Sequence, residues 1–209
     1  MPNPNQSQSP NQMKNERSDK QIIHLDRRTY NVFDFEVQTR DDGKPQKIIG
    51  HAAVFNVVDG PSWFRERIEP GAFIDSIVAD DIRALFNHNP DYILGRTSSG
   101  TLRLREDDKG LWMEIDPPDT SVSRDLMVSI QRGDITQASF AFQTVDAGWE
   151  TEGEDDIRVL KKVRLFDVSP VTYPFYEATD VSLRSRIDRD EIQRAMKQRR
   201  MRLMLLRKS

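Results

Sequence analysis

The sequence predicts a mainly β (α+β) domain whose sheet is closed or nearly closed. Three observations carry this: six to eight short runs have strand character, only two short stretches within the domain have helical spacing, and no segment repeats. A chain of 209 residues has room for one domain, or for one domain with tails.

Taken in order, the domain starts near Ile22 and ends near Leu183. Asn31 to Thr39 alternates, with Val32, Asp34, Glu36 and Gln38 against Phe33, Phe35 and Val37, and reads as the first strand. Lys47 to Phe55 reads as the second, after a turn at Asp41-Asp42-Gly43-Lys44-Pro45, and Phe64 to Glu69 as a short third. Pro70-Gly71 opens a helix with Phe73, Ile74, Ile77 and Val78 on one face. Ile82 to His88 is strand-like and stops at the turn signal Asn89-Pro90-Asp91. Thr101 to Arg105 and Leu111 to Ile115 form a hairpin around Glu106 to Gly110. Asp119 or Thr120 caps a helix that runs to about Arg132, with Leu126, Met127 and Ile130 apolar and Gly133 just past its end. Thr136 to Val145 and Arg158 to Pro170 are the last strands, across an acidic loop from Glu150 to Asp156.

Apolar residues make up 36% and charged residues 31%, a polar balance that is concentrated at the ends. Residues 1 to 20 hold no Val, Ile, Leu or aromatic, but three Pro, four Asn, three Gln and three Ser. Such a stretch cannot offset its chain entropy by burial, so 1–21 is expected to be a disordered arm. From Ser182 to Ser209 ten Lys/Arg face three acids, a net +7 that leaves −10 for the rest of a chain whose total is −3. Asp188 to Leu206 is helix-compatible, with Ile192, Ala195, Met196, Leu203 and Leu206 in part of a stripe, so 184–209 is expected to be a basic helical tail. A solvated helix and a targeting or processing segment both fit it.

Several classes drop out. The absence of Cys removes disulfide frameworks, thiol nucleophiles and Cys-type zinc sites, and three His (His24, His51, His88) do not suggest a His-rich metal site. No apolar run approaches the 18 or so residues of a membrane helix, and the N-terminus lacks the apolar core of a signal peptide.

Three residues are candidates for chemistry. In Thr136-Gln137-Ala138-Ser139-Phe140-Ala141-Phe142 the two phenylalanines point one way, and Ser139 and Ala141 the other, which leaves space above a hydroxyl. A strand serine satisfied by its neighbours fits as well as a nucleophile. His88 ends a strand at a turn, as a surface histidine or a general base at the mouth of a sheet would. His51 is the rival imidazole, but it sits mid-strand between Gly50 and Ala52, in a packed or edge position; His24 borders the arm. By strict alternation Asp167 shares a face with Val163, Leu165 and Ser169, an acid among apolar residues. It is either a structural partner of Arg164 or another arginine, or the orienter of an imidazole.

The framework around these residues is more specific. Phe64-Arg65-Glu66-Arg67-Ile68-Glu69-Pro70-Gly71-Ala72-Phe73 resembles a motif of the tailed-phage prohead (capsid maturation) serine proteases. So do Phe86-Asn87-His88, Leu94-Gly95-Arg96-Thr97, Gly100-Thr101-Leu102, Gly110-Leu111, Arg132-Gly133-Asp134-Ile135 through Phe142, and Asp167-Val168-Ser169-Pro170-Val171-Thr172-Tyr173-Pro174. The resemblance runs in consistent order from Val32 to Ser182, about 150 residues.

The resemblance implies an assemblin-like β-barrel ringed by helices over residues 22–183, related to the herpesvirus assemblin proteases. It implies a serine endopeptidase with Ser139 as nucleophile, His88 as base and Asp167 as orienting acid, at a position where the family commonly has Glu. The oxyanion donors are not assigned by sequence; main-chain N–H groups are expected first, with Arg96 or Arg132 as weaker choices. Expected substrates are the scaffold, or the scaffold-like delta domain of the major capsid protein, and the protease itself, inside the procapsid in the host cytoplasm. A homodimer is among the expected assemblies. No metal or organic cofactor, no membrane and no sequence-specific nucleic acid are expected. The alternative reading is a non-enzymatic capsid assembly or scaffold protein that retains the fold.

Overall fold

The computed structural model describes residues 25–31, 34–38, 46–59, 65–153 and 155–173. The expected N-terminal arm, the basic tail, the Asp41 to Pro45 turn and His24 lie outside them. The elements are β1 (Asp26–Asn31), β2 (Glu36–Gln38), β3 (Lys47–Val54), β4 (Arg65–Ile68), α1 (Ile74–Ala79), β5 (Arg83–Phe86), β6 (Asn89–Arg96), β7 (Leu102–Glu106), β8 (Gly110–Ile115), α2 (Ser121–Arg132), β9 (Gln137–Glu152) and β10 (Asp155–Val171).

The mainly β architecture with few helices is as expected, but the described residues make two sheets rather than one closed barrel. The larger has six strands in the order β1-β9-β10-β5-β6, with β4 also paired to β10; the smaller has four in the order β2-β3-β8-β7. A barrel must pair its first and last strands, and here β1 and β6 remain edges. The length of β10 explains how one strand serves several partners. Its 17 residues pair antiparallel with β9 along one edge, and on the other hold β4 at Ile157–Leu160 and β5 at Asp167 and Val168, both parallel.

The run expected as one strand from Asn31 to Thr39 is divided. Its start ends β1, beside β9, and Glu36–Gln38 pairs with β3 in the other sheet. Most of β1 lies before that run, in Asp26-Arg27-Arg28-Thr29-Tyr30-Asn31, whose polar composition hides a strand from any hydrophobic pattern. It is held partly by charge. The buried carboxylate of Glu66 on β4 accepts from Arg28 Nε at 2.7 Å and from Arg158 Nη1 at 2.9 Å, which ties β1, β4 and β10 together.

The core lies between the sheets. Ile48, Ala52, Leu111, Met113 and Ile115 of the small sheet meet Ala84, Leu94, Phe140, Phe142, Leu165 and Val168 of the large one, and Leu126, Met127 and Ile130 of α2 close one side. Phe73 packs edge-on to Phe140 at 5.3 Å between ring centroids. Gly110 is required by this packing, since a Cβ there would stand 1.9 Å from the Ala53 carbonyl oxygen.

The second helix follows its sequence signals. Thr120 Oγ1 accepts from Ser123 N at 3.2 Å, and Gly133 ends the helix in the left-handed region at φ 78°. The first departs from its expected face. Phe73 is buried and Ile77 half-buried, but Ile74 and Val78 are 52% and 83% exposed. The third inward position is Ser76, whose buried hydroxyl accepts from Leu165 N at 2.7 Å and donates to Asp80.

The turn expected at Asn89-Pro90-Asp91 falls two residues earlier. Phe86 pairs with Asn89, so Asn87 and His88 alone make the connection, with φ of 55° and 54°. Pro90 is tolerated within β6 because β6 is an edge strand. A two-residue hairpin turn with both φ positive favours Asn first and Gly second; His88 stands where Gly is preferred. The left-handed conformation costs on the order of 1 kcal/mol per non-glycine residue, and Asn87 supplies the compensation. Its N–H donates to Pro170 O at 3.0 Å, its Nδ2 to Thr172 Oγ1 at 3.1 Å, and its Oδ1 accepts from Thr172 N at 2.8 Å, which fixes the turn to the end of β10. Asn87→Ala is expected to lower the unfolding free energy by about 1–3 kcal/mol. Chemical denaturation checks this, and a loss below about 0.5 kcal/mol would show that the turn does not depend on the Asn87 side chain.

Candidate active site

The site is built from three strands that meet at one end of the large sheet. β9 lies between β1 and β10, with Ser139 opposite Thr29 on one side and Ser169 on the other. Opposed residues of an antiparallel pair share a face. Ser139 and Ser169 therefore lie together on the face of Ala141, and Phe140 and Phe142 point to the core.

Asp167 reaches that same face through a bulge. Leu165 is opposite Phe142, but Asp167 is opposite Ala141, because the register shifts between Leu165 and Asp167 and Phe166 is the extra residue. The strict alternation expected for this strand is therefore corrected. Val163 and Leu165 lie in the core with Phe142, whereas Asp167 and Ser169 lie on the opposite face, with Ser139. An unbulged strand would have directed the Asp167 carboxylate into the apolar core.

His88 enters from the β5–β6 turn and bridges the two strands. Its Nδ1 is 2.5 Å from Asp167 Oδ1, and its Nε2 is 2.6 Å from Ser139 Oγ. A carboxylate only accepts, so Nδ1 carries the proton and Nε2 accepts from the serine hydroxyl. Ser139 is fully buried, and His88 and Asp167 are each below one-tenth exposed. The three candidates from the sequence thus form one hydrogen-bonded chain. Arg164, considered as a structural partner for Asp167, instead pairs with Asp80 at 3.2 Å and lies over the Phe166 ring.

A fourth polar group was not singled out from the sequence. Ser169 is fully buried; its Oγ donates to Asp167 Oδ1 at 2.9 Å and accepts from His88 N at 3.3 Å. Its sequence signals are its position two residues after Asp167 on a strand and its place in the Asp167 to Pro174 motif. The two arginines considered as oxyanion donors are engaged elsewhere. Arg96 binds Asp81 and holds that carboxyl well below the usual carboxylate range, and Arg132 pairs with Asp134 at 3.2 Å.

His51, the rival imidazole expected in a packed or edge position, is packed, on the strand between β2 and β8. It is buried on β3, with Nδ1 2.5 Å from Asp34 Oδ2 and Nε2 2.9 Å from Asp107 Oδ1. Among the described residues its ring nitrogens meet carboxylates and no hydroxyl. It lines a cavity of about 460 Å³ on the small sheet, together with Asp34, Arg105, Asp107 and Trp112. None of Ser139, His88 and Asp167 lines that cavity, so its size is no guide to the nucleophile chemistry. Among the described residues no cluster of three His, Asp or Glu is arranged to hold a metal ion, and no helix is long and apolar enough to cross a membrane.

A two-sheet, β-rich domain therefore carries a hydroxyl, an imidazole and a carboxylate in the order that serine hydrolases use. Residues 33–194 match the family model described as Caudovirus prohead serine protease, and the chain belongs to that family. It is a serine protease of the capsid-maturation class. Among solved structures, the bacteriophage T4 capsid assembly protease is similar over 70% of this chain and 96% of that one, at 12% identity and a TM-score of 0.46. No sequence match is found among curated proteins.

The second histidine generates a stability prediction. Burial disfavours the charge on Asp107, but hydrogen bonds from His51 and from the Lys109 and Gly110 amides outweigh it and hold the carboxyl below its ordinary value of 3.8. A depressed carboxylate stabilises the fold above the unfolded-state value and loses that contribution as pH falls through the folded one. Asp107→Asn should therefore melt at a lower temperature than the parent near pH 7, and the gap should narrow as pH falls below about 4. Melting curves across that range check this; a gap that is constant with pH would contradict it.

Proposed function

We propose that this chain hydrolyses peptide bonds with Ser139 as nucleophile, His88 as general base and then general acid, and Asp167 as the group that orients and stabilises the imidazole. The reading is carried by one observation, the continuous hydrogen-bonded chain from Ser139 Oγ through His88 to Asp167. Ser139 Oγ attacks the scissile carbonyl carbon while its proton passes to His88 Nε2. The imidazolium that forms keeps its Nδ1–H on the Asp167 carboxylate. Collapse of the tetrahedral intermediate breaks the C–N bond, and the amine leaves with the proton from Nε2. Water then attacks the acyl ester by the same route, and the acid product and free Ser139 are released.

The substrates we propose are the scaffold, or the scaffold-like delta domain of the major capsid protein, and the protease itself, cleaved within the procapsid in the host cytoplasm. Family membership supports this setting. The kinship of the fold with the herpesvirus assemblins and a homodimeric state belong to the same proposal. The +7 charge of Ser182 to Ser209 suits an acidic partner, and a targeting or processing role for that segment follows.

Co-expression with the capsid protein, followed by intact-mass analysis, tests the reading. Ser139→Ala is expected to abolish processing, a loss of several orders of magnitude in rate, with little change in melting temperature, and His88→Ala to abolish it equally. Asp167→Asn should reduce it strongly and leave a residue, since the acid orients and does not attack. Processing by Ser139→Ala at the parental rate would overturn the assignment, and unprocessed partners with the parental chain would favour a non-enzymatic assembly role.

A further inference from the structure

The hydrogen bonds of Ser169 exceed what a buried strand serine needs. Satisfying one buried hydroxyl takes one partner. This one touches two components of the proposed relay at once, in different ways. It donates to Asp167 Oδ1 at 2.9 Å, the same oxygen that lies 2.5 Å from His88 Nδ1. It also accepts from the backbone N–H of His88 at 3.3 Å. Ser139 and Ser169 are direct cross-strand partners, so two serine hydroxyls lie to either side of a single imidazole, with Ser139 Oγ on Nε2 and Ser169 Oγ on the Nδ1 side.

Each contact answers a specific need. The His88 amide belongs to a non-glycine residue at φ 54°, and in the turn this amide is directed back at β10. Asp167 is the first residue after the bulge at Phe166, where the ladder with β9 resumes opposite Ala141 and the strand has changed the face it presents. One hydroxyl spans both irregular features and sets them in register with each other.

We propose that Ser169 is a positioning residue for the peptidase reaction: it fixes the Asp167 carboxylate and the His88 turn in the relative placement that lets the imidazole meet Ser139. Ser169 does not touch the reacting atoms; its effect passes through Asp167 and His88. The inference rests on the catalytic reading above.

The test uses the full chain and needs no knowledge of the cleavage sequence. Diisopropyl fluorophosphate phosphorylates an activated serine, and the rate at which Ser139 is labelled is followed by intact mass and peptide mapping. Labelling at Ser139 in the parental chain, absent from Ser139→Ala, is the condition on which the catalytic reading stands, and its absence sinks that reading independently of Ser169. Ser169→Ala is then expected to label at least tenfold more slowly with its melting transition retained. Ser169→Thr and Ser169→Val separate the hydroxyl from its packing, because they are nearly isosteric and only threonine keeps the donor. Threonine labelling at least fivefold faster than valine supports the positioning role, also where the alanine variant fails to fold. Equal labelling by the two, or a Ser169→Ala rate within twofold of the parent, overturns it.

Discussion

The placement of the His88 ring is the constraint on which the rest of the site depends. It must meet a hydroxyl on β9 and a carboxylate on β10 at once, from a turn between β5 and β6. Imidazole is rigid, and its two nitrogens are fixed relative to each other. The positions of Ser139 and Asp167 are therefore correlated to within the tolerance of a hydrogen bond. That correlation comes from the sheet. β9 and β10 are adjacent and antiparallel, and β5 runs parallel to β10 at Asp167 and Val168, which brings the β5–β6 turn to the level of Pro170 and Thr172.

Two departures from regular structure complete it. The bulge at Phe166 lets one strand supply Val163 and Leu165 to the core and Asp167 and Ser169 to the opposite face. The two left-handed residues let a minimal turn present a histidine where glycine is preferred. Both cost local stability, and both are held by side chains from neighbouring segments. Asn87 locks the turn to Thr172, and Ser169 joins the His88 amide to the Asp167 carboxylate. Both of these departures fall at the polar cluster.

Much of this was legible in the sequence where local chemistry decides it. The Thr120 cap and Gly133 stop define α2, and the Phe140 and Phe142 alternation places Ser139 on the opposite face. What was not legible depended on pairing. β1 is a strand because β9 offers an edge and Glu66 a buried carboxylate for Arg28, and neither is visible in Asp26 to Asn31. Val78 has the spacing of a buried residue but faces solvent, since Ser76 takes the inward position to receive the Leu165 amide. Asp167 was singled out from an alternation that the bulge breaks. The residue named was the one that meets His88, while the face assigned to it was the wrong one, and only the register against β9 reveals this.

The proton between His88 and Asp167 gives the most direct access to the central claim. A short charge-assisted N–H···O bond shifts its proton far downfield of the amide region in a proton NMR spectrum of the full chain in water. The geometry predicts two such resonances, one from His88 with Asp167 at 2.5 Å and one from His51 with Asp34 at 2.5 Å. The first should vanish in His88→Ala and in Asp167→Asn and persist in His51→Ala; the second should vanish only in His51→Ala. A spectrum with no downfield resonance that depends on His88, or one whose His88 resonance survives in Asp167→Asn, would contradict the His88–Asp167 bond on which the site is built.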